Sequence, residues 1–351
     1  MHDISLAHKL KILQSTIVPL YSNKPNLSHV WVTRHCNVKC NHCYVRRFNS
    51  PDPSLKEVKK RIDKVKELGC KLTVLFGGEP TLRNDIPDII RHCKKNDILS
   101  YIITNGTLLD KKMADRLGTA GLDVISLLVN TLDNKKSPLV KFGKHSYDIE
   151  EKMKLIDYLR SKHDVVAFVA ICITKLNMDE IIPLVELAKK YDFGVTLTVV
   201  GDPYIIPGVK KGNKSGSHPV FFRTKSDFSK LGSLMKKLEK MKRSGYNIIE
   251  PYSYFKMMES FFSKKCCGIC NAGLTFFDIN TDGNVMLCPM SEPTGIHHSE
   301  LSAKNFIEKL KPFRDEQLKV CCDKCVLSES YDPSYYATHI LEYANTLKDV
   351  C

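Results

Sequence analysis

No apolar run in the 351-residue chain is long enough to cross a membrane; the longest clear one, "VVAFVAICI" at 165–173, is strand-sized. A secretory pattern is missing as well, because "MHDISLAHKLKILQ" mixes charges among its apolar residues. Together these absences make the cytoplasm the expected location. Acidic residues are in the minority, 39 against 53 Lys and Arg, a formal net charge of +14. Much of that surplus sits in residues 201–265, which carry fourteen Lys and Arg against five Asp and Glu. Part of it is the polar side of a helix over "SDFSKLGSLMKKLEKMKRSG", with Phe228, Leu231, Leu234, Met235, Leu238 and Met241 on its buried side. A solvated basic face is therefore expected there; a surface for phosphate or nucleic acid is the alternative.

Cysteine is not scarce. Fourteen are present, and ten of them fall in two groups. Cys36, Cys40 and Cys43 lie within "TRHCNVKCNHCYV"; Cys266, Cys267, Cys270, Cys288, Cys321, Cys322 and Cys325 lie near the other end. Cys70, Cys93 and Cys172 read as small buried hydrophobes, and Cys351 stands apart. Clustered thiols in a reducing compartment point to metal rather than disulfides. The first group has three thiols, an incomplete set for a pair of disulfides or a four-ligand zinc site.

From residue 29 the chain alternates strand-like and helix-like segments. The strands are "HVWVT", "KLTVLF", "ILSYIIT", "LDVISLLV", "DVVAFVAICI" and "GVTLTVV", each followed by a helix. Ser54 and Glu57 form an expected capping box, and Gly69 a stop. Short Val, Ile and Leu runs are what parallel strands covered on both faces look like. Repeated βα units form either an open doubly wound sheet or a barrel, and both bind ligands beyond the C-terminal strand ends. After about residue 251 the pattern changes. "TFFDINTDGNVMLC" reads as a hairpin turning at Asp282-Gly283, in a segment too small and thiol-rich for a core of its own, so that a metal would hold it.

The chemistry collects at strand ends. Three thiolates spaced C-x3-C-x2-C on a loop can bind three irons of a 4Fe–4S cluster, leaving the fourth open to a small ligand. The second strand ends in Gly77, Gly78, Glu79 and Pro80, where glycines allow close backbone approach to a ligand and the Glu can accept from an ammonium. Thr104, Asn105 and Gly106 end the third; Ser126 lies near the end of the fourth, with Asn130 beyond.

This constellation resembles the radical SAM superfamily. "CNVKCNHC" fits its cysteine signature, with His42 at a position usually aromatic, and "GGEP" fits its methionyl-contact motif. The resemblance covers about 29–245 and implies a partial (βα)6 barrel of the TIM type. It implies a 4Fe–4S cluster on Cys36, Cys40 and Cys43, and S-adenosylmethionine near Gly77, Gly78, Glu79, Pro80, Asn105 and Ser126. It implies reduction of S-adenosylmethionine to methionine and a 5′-deoxyadenosyl radical that removes a substrate hydrogen.

The second group resembles the SPASM and twitch extensions of that superfamily. Cys270, Gly283 and Cys288 fit "C…G-x4-C", followed by Cys322 and Cys325 as C-x2-C; "VLSESYDPSYY" then lacks the two further cysteines of a full SPASM pattern. One auxiliary 4Fe–4S cluster on Cys270, Cys288, Cys322 and Cys325 is implied. Alternatives are a site using Cys267, Cys270 and Cys288 with one iron open, and a four-cysteine zinc site. Cys266, Cys321 and Cys351 are further candidate ligands.

The expected organisation is a helical extension at 1–28, a barrel at 29–250 and a small cysteine-rich auxiliary unit at 251–351. "SLAHKLKILQSTI" is expected to pack under the barrel, in a stretch too short for a leader-peptide-binding domain. Lys175 ends the fifth strand and is a candidate for the methionyl carboxylate or for simple solvation. Asp202, Tyr204 and His218 lie in a long loop that could cover substrate. The leading expectation is oxidation of a polar metabolite, with a flavodoxin or ferredoxin as reductant. Alternatives are a peptide maturase and a lipid- or nucleoside-modifying enzyme. A zinc-stabilised nucleic-acid-binding protein gives no reason for "GGEP".

Overall fold

In the computed structural model the described residues are 24–45, 48–133, 140–141, 147–200, 219–259 and 270–321. The expected 1–28 helix, the loop residues Asp202, Tyr204 and His218, and Cys266, Cys267, Cys322, Cys325 and Cys351 lie outside them, apart from residues 24–28. In chain order the strands are β1 (Leu27–Thr33), β2 (Lys39–Cys40), β3 (Leu72–Gly77), β4 (Leu99–Thr104), β5 (Val124–Leu128), β6 (Val140–Lys141), β7 (Val166–Ile173), β8 (Gly194–Val199), β9 (Phe276–Ile279) and β10 (Val285–Met286). The α-helices are α1 (Leu55–Leu68), α2 (Ile86–Lys95), α3 (Lys111–Ala120), α4 (Ile149–His163), α5 (Met178–Lys190), α6 (Lys225–Arg243), α7 (Tyr252–Glu259) and α8 (Phe306–Cys321).

The six expected strands are β1, β3, β4, β5, β7 and β8, adjacent in that order and parallel throughout. Each is followed by a helix, α1 to α6, so the fold is a six-unit partial barrel. Local chemistry explains the helix ends. Ser54 accepts from Glu57 N at 3.2 Å and Gly69 closes α1 at φ 102°, a left-handed angle that suits a residue without Cβ. Only half of the expected capping box forms, because the Glu57 carboxylate turns to Lys60 Nζ at 2.9 Å. Asp110 caps α3 through Met113 N, and Thr224 with Asp227 makes a full box on α6. Leu231, Leu234, Met235 and Leu238 of α6 are buried, as the helical spacing requires.

One expectation holds for only part of the sheet: β1, β3 and β5 are buried at nearly every position, as strands covered on both faces are, but the far strands are not. β7 and β8 alternate residue by residue, with Val169, Ile171, Ile173, Leu197 and Val199 buried under helices and Phe168, Ala170, Cys172, Thr196 and Thr198 half-buried on the opposite side. A partial barrel leaves its inner face open at one side, so period-two burial returns. Cys70 and Cys93 are core residues as expected, whereas Cys172 belongs to the inner face, paired in register with Thr198.

The hairpin forms with Gly283 at φ 83°, but its apolar residues do not depend on a metal alone. β9 pairs in parallel with β1, extending the barrel sheet across the expected boundary at residue 251. Phe276, Phe277 and Ile279 join the same core as Val30 and Val32, and Phe277 meets Phe306 edge-on at 5.0 Å. Buried Asp278 accepts from Trp31 Nε1 and bonds His29 Nδ1, each at 2.9 Å. Arg61 of α1 donates to the carbonyls of Asn280 (3.0 Å) and Thr281 (2.9 Å); loss of water on burial lowers its pKa to about 10. The hairpin is thus fastened to β1 and α1 by buried polar bonds.

Candidate active site

Three strand-end loops meet beyond β1, β3 and β4. The cysteine loop is rooted by Asp52, which accepts from Thr33 Oγ1 (2.5 Å) and Arg34 N (2.8 Å) and bonds His35 Nδ1 (2.9 Å). Burial opposes its charge, yet these hydrogen bonds outweigh burial and hold the carboxylate below its usual pKa. Arg83 clamps the same root, donating to Val32 O (2.8 Å) and Pro53 O (2.7 Å) while paired with Asp85. Cys36 is exposed; Cys40 and Cys43 are half-buried. Cys43 packs on an aromatic group around Trp31, Tyr44, Phe48 and Phe76 that includes Met286 of β10.

The two glycines at the end of β3 also have a reason within the fold. A Cβ on Gly77 would lie 1.9 Å from Thr33 O, and one on Gly78 2.0 Å from His35 O. Gly78 N donates to Thr33 O at 2.7 Å and Glu79 N to His35 O at 2.8 Å. A close approach between the two loops therefore requires both glycines. Pro80 opens a single 3-10 turn, Pro80–Leu82, which Glu79 caps through Thr81 N.

Glu79 is buried, and its carboxylate is already engaged. Oε1 accepts from Thr81 N (3.1 Å), Thr81 Oγ1 (2.6 Å) and Thr104 Oγ1 (2.7 Å); Oε2 accepts from Asn105 N (2.8 Å). Burial raises its pKa, and these four donors oppose that rise. Oε2 carries the smaller share of them and retains capacity for a cationic donor. Asn105 connects the loops: its amide nitrogen lies 3.6 Å from Cys36 Sγ and 3.2 Å from Asn37 Oδ1. Its Oδ1 accepts from Thr107 N and Oγ1, which fixes the amide's orientation.

Other expected residues have their hydrogen-bond partners outside this group. Ser126 is fully buried on β5, its hydroxyl 2.5 Å from Tyr101 OH on β4, so it belongs to the inner wall. Asn130 is structural: Oδ1 accepts from Cys172 N at 2.8 Å and its carbonyl accepts from Asn177. Lys175 pairs with Asp227 at 3.0 Å, tying the end of β7 to the start of α6. Sequence reading missed Asp52 and Thr81. Neither lies in a periodic or spaced pattern, and only the fold brings Asp52 back to Thr33.

Among the described residues no three Cys, His, Asp or Glu side chains converge on a single ion. A cubane asks for something else, one thiolate on each of several irons. The donor set fits that demand: three thiols on one strand-end loop, one of them exposed, beside a buried carboxylate with an acceptor site to spare.

The second cysteine region lies beneath α8. Cys288 is 3% exposed, and Cys270 is half-buried. Gln317 Nε2 donates to Cys288 Sγ at 3.4 Å, and Arg314 Nη2 to Cys270 O at 2.7 Å. The same helix runs to Cys321, immediately before Cys322 in the chain.

Comparison with known proteins agrees with this geometry. Residues 31–188 match the Radical SAM superfamily. A GTP 3′,8-cyclase of Chlorobaculum tepidum is 31% identical over 169 residues, 47% of this chain and 50% of that protein. An AdoMet-dependent heme synthase of Methanosarcina barkeri is 30% identical over 177 residues, 48% of each. A Fe-coproporphyrin III synthase of the same organism is 36% identical over 102 residues, 28% of this chain and 26% of that protein. The chain thus spans half or less of these relatives. In fold it is similar to SuiB of Streptococcus suis, solved with a precursor peptide (TM-score 0.64, 17% identity, 91% of this chain and 75% of that one). It is also similar to anSMEcpe solved with AdoMet and a peptide (TM-score 0.61, 17% identity, 93% and 100%). With its cysteine loop, its Gly-Gly-Glu-Pro turn and a six-unit partial barrel in place, residues 31–188 match the radical SAM superfamily, whose cofactors are a 4Fe–4S cluster and S-adenosylmethionine.

Proposed function

We propose that Cys36, Cys40 and Cys43 hold the reducing 4Fe–4S cluster and that Glu79 Oε2 receives the methionyl ammonium of S-adenosylmethionine. The observation that carries this reading is the position of Asn105. Its backbone N–H fixes Glu79 Oε2 at 2.8 Å while its side chain reaches Cys36 Sγ at 3.6 Å, so one residue couples both motifs. Bound there, the cluster and S-adenosylmethionine supply a 5′-deoxyadenosyl radical, the agent of hydrogen abstraction. Gly77 and Gly78 let the two loops lie against each other, and Pro80 starts the turn that aims Glu79.

The inner face supports a reading of the substrate. Register places Phe76, Tyr101, Ser126, Phe168, Thr196 and Thr198 along it, aromatic rings and hydroxyls interleaved with the apolar Ile103, Leu128 and Ala170. Such a mixed wall suits a neutral moiety with hydroxyl-bonding groups beside apolar C–H surface. The leading reading is oxidation of a polar metabolite; modification of a peptide residue and action on a lipid or nucleoside are alternatives.

Cys270, Cys288, Cys322 and Cys325 hold one auxiliary 4Fe–4S cluster, within a unit running from about 251 to the last residue, 351. Support comes from α8, which touches both described cysteines and leads directly to Cys322 in sequence. A site with four thiolates has no open iron, which suits electron transfer from a substrate radical better than substrate binding. A flavodoxin- or ferredoxin-class protein supplies the electron for S-adenosylmethionine cleavage. The test is metal analysis of anaerobically reconstituted protein together with mass spectrometry of candidate substrates. About eight irons per chain are expected, falling to about four when Cys288 and Cys322 are replaced, with deoxyadenosine still formed. About four irons with stoichiometric zinc would make the second site structural. A product isomeric with its substrate would exclude net oxidation.

A further inference from the structure

Helix α8 carries two kinds of side chain along the 306, 310, 314, 317 spacing of a single helical face. Phe306 and Leu310 are buried in the main core. One and two turns further on, Arg314 and Gln317 donate to Cys270 O and Cys288 Sγ. Cys288 is fixed on its backbone side by Ser291. The Ser291 hydroxyl donates to Cys288 O and accepts from Leu287 N, both at 3.0 Å. Gln317 therefore meets a sulfur whose position is already set, in a place where little solvent reaches the thiol.

We propose that Gln317 is the positioning residue of the auxiliary site: its amide N–H donates to the cluster-bound Cys288 thiolate and raises the cluster's reduction potential. The inference rests on the auxiliary-cluster reading given above. A hydrogen bond to a ligand sulfur draws electron density from the thiolate and favours the reduced cluster, which carries one more negative charge. Burial strengthens the effect, because water does not compete for the sulfur and the local dielectric is low. An acceptor of electrons from a substrate radical benefits from that shift. Arg314, bonded to a carbonyl, holds the Cys270 strand in place without touching sulfur.

The test is a redox titration of the anaerobically reconstituted full chain followed by electron paramagnetic resonance. The auxiliary signal is the one that ignores added S-adenosylmethionine and survives Cys40→Ala. Gln317→Leu removes the donor and keeps the bulk. It is expected to retain wild-type iron and sulfide while its auxiliary midpoint moves to more negative potential, and the S-adenosylmethionine-responsive midpoint stays in place. Gln317→Glu, nearly isosteric but anionic, should move it further in the same direction. Full iron with unmoved midpoints in both variants would overturn the assignment, as would loss of the auxiliary iron in both, which would make Gln317 a structural support only. Wild-type protein with about four irons and no second signal would instead remove the underlying auxiliary-cluster reading, and this proposal with it.

Discussion

Cys36 stands exposed on a loop held by polar bonds, while Cys288 is 3% exposed in a hairpin held by the core. The first cysteine region is organised by Asp52, Glu79, Arg83 and Asn105, groups from loops far apart in sequence. The second is organised by Phe276, Phe277, Phe306 and Leu310, with polar contacts added at the thiol end of α8. An exposed cysteine beside a carboxylate with an unused acceptor site is suited to an incoming cationic ligand. A buried one capped by an amide is suited to holding charge away from water. Under the proposed function the contrast divides the chemistry: ligand binding and cleavage at the first site, electron storage at the second.

The largest effect that would break this division is expected from Cys40→Ala. Deoxyadenosine formation should fall to background while the far-ultraviolet dichroism of the fold is retained. Wild-type deoxyadenosine production would defeat the assignment. Gly78→Ala comes next, since its Cβ would sit 2.0 Å from His35 O. A destabilisation of about 3 kcal/mol, toward the upper end for overpacking, is expected in denaturant unfolding. Iron at the first site should fall while iron at the second is preserved.

Glu79→Ala should weaken S-adenosylmethionine binding by about 1.5–3 kcal/mol, the range for a hydrogen bond to a charged group. Titration followed by cluster spectroscopy reads the loss directly. Because Glu79 also satisfies Thr81, Thr104 and Asn105, this variant should lose thermal stability too, which a purely ligand-binding carboxylate would not do.

The smallest effect is a control at the far edge of the sheet. Glu250 accepts from Leu197 N on β8, and burial raises its pKa to about 8. The folded protein therefore binds a proton more tightly there than the unfolded chain does. The associated stability is complete below the unfolded value of about 4.5 and is lost as pH rises through about 8. Glu250→Gln should flatten the decline in melting temperature across that window and leave both cysteine sites unchanged. A decline as steep as the wild type's would remove Glu250 as its source.

Much of this protein is legible in one dimension. The six strands and their helices follow from short Val, Ile and Leu runs separated by caps such as Ser54 and Asp110, because burial periodicity and capping are local properties. The cysteine triad and Gly-Gly-Glu-Pro are likewise contiguous, so they can be recognised without the fold that their chemistry needs. What the tertiary structure alone decided is long-range. β9 joins β1 across 249 residues, from His29 to Asp278, because parallel pairing is set by which strand edge is left open in the sheet rather than by neighbouring sequence. Gly77 and Gly78 serve loop-to-loop contact, Ser126 turns to Tyr101, and Lys175 to Asp227, since each partner is fixed only when separate strands come to lie side by side.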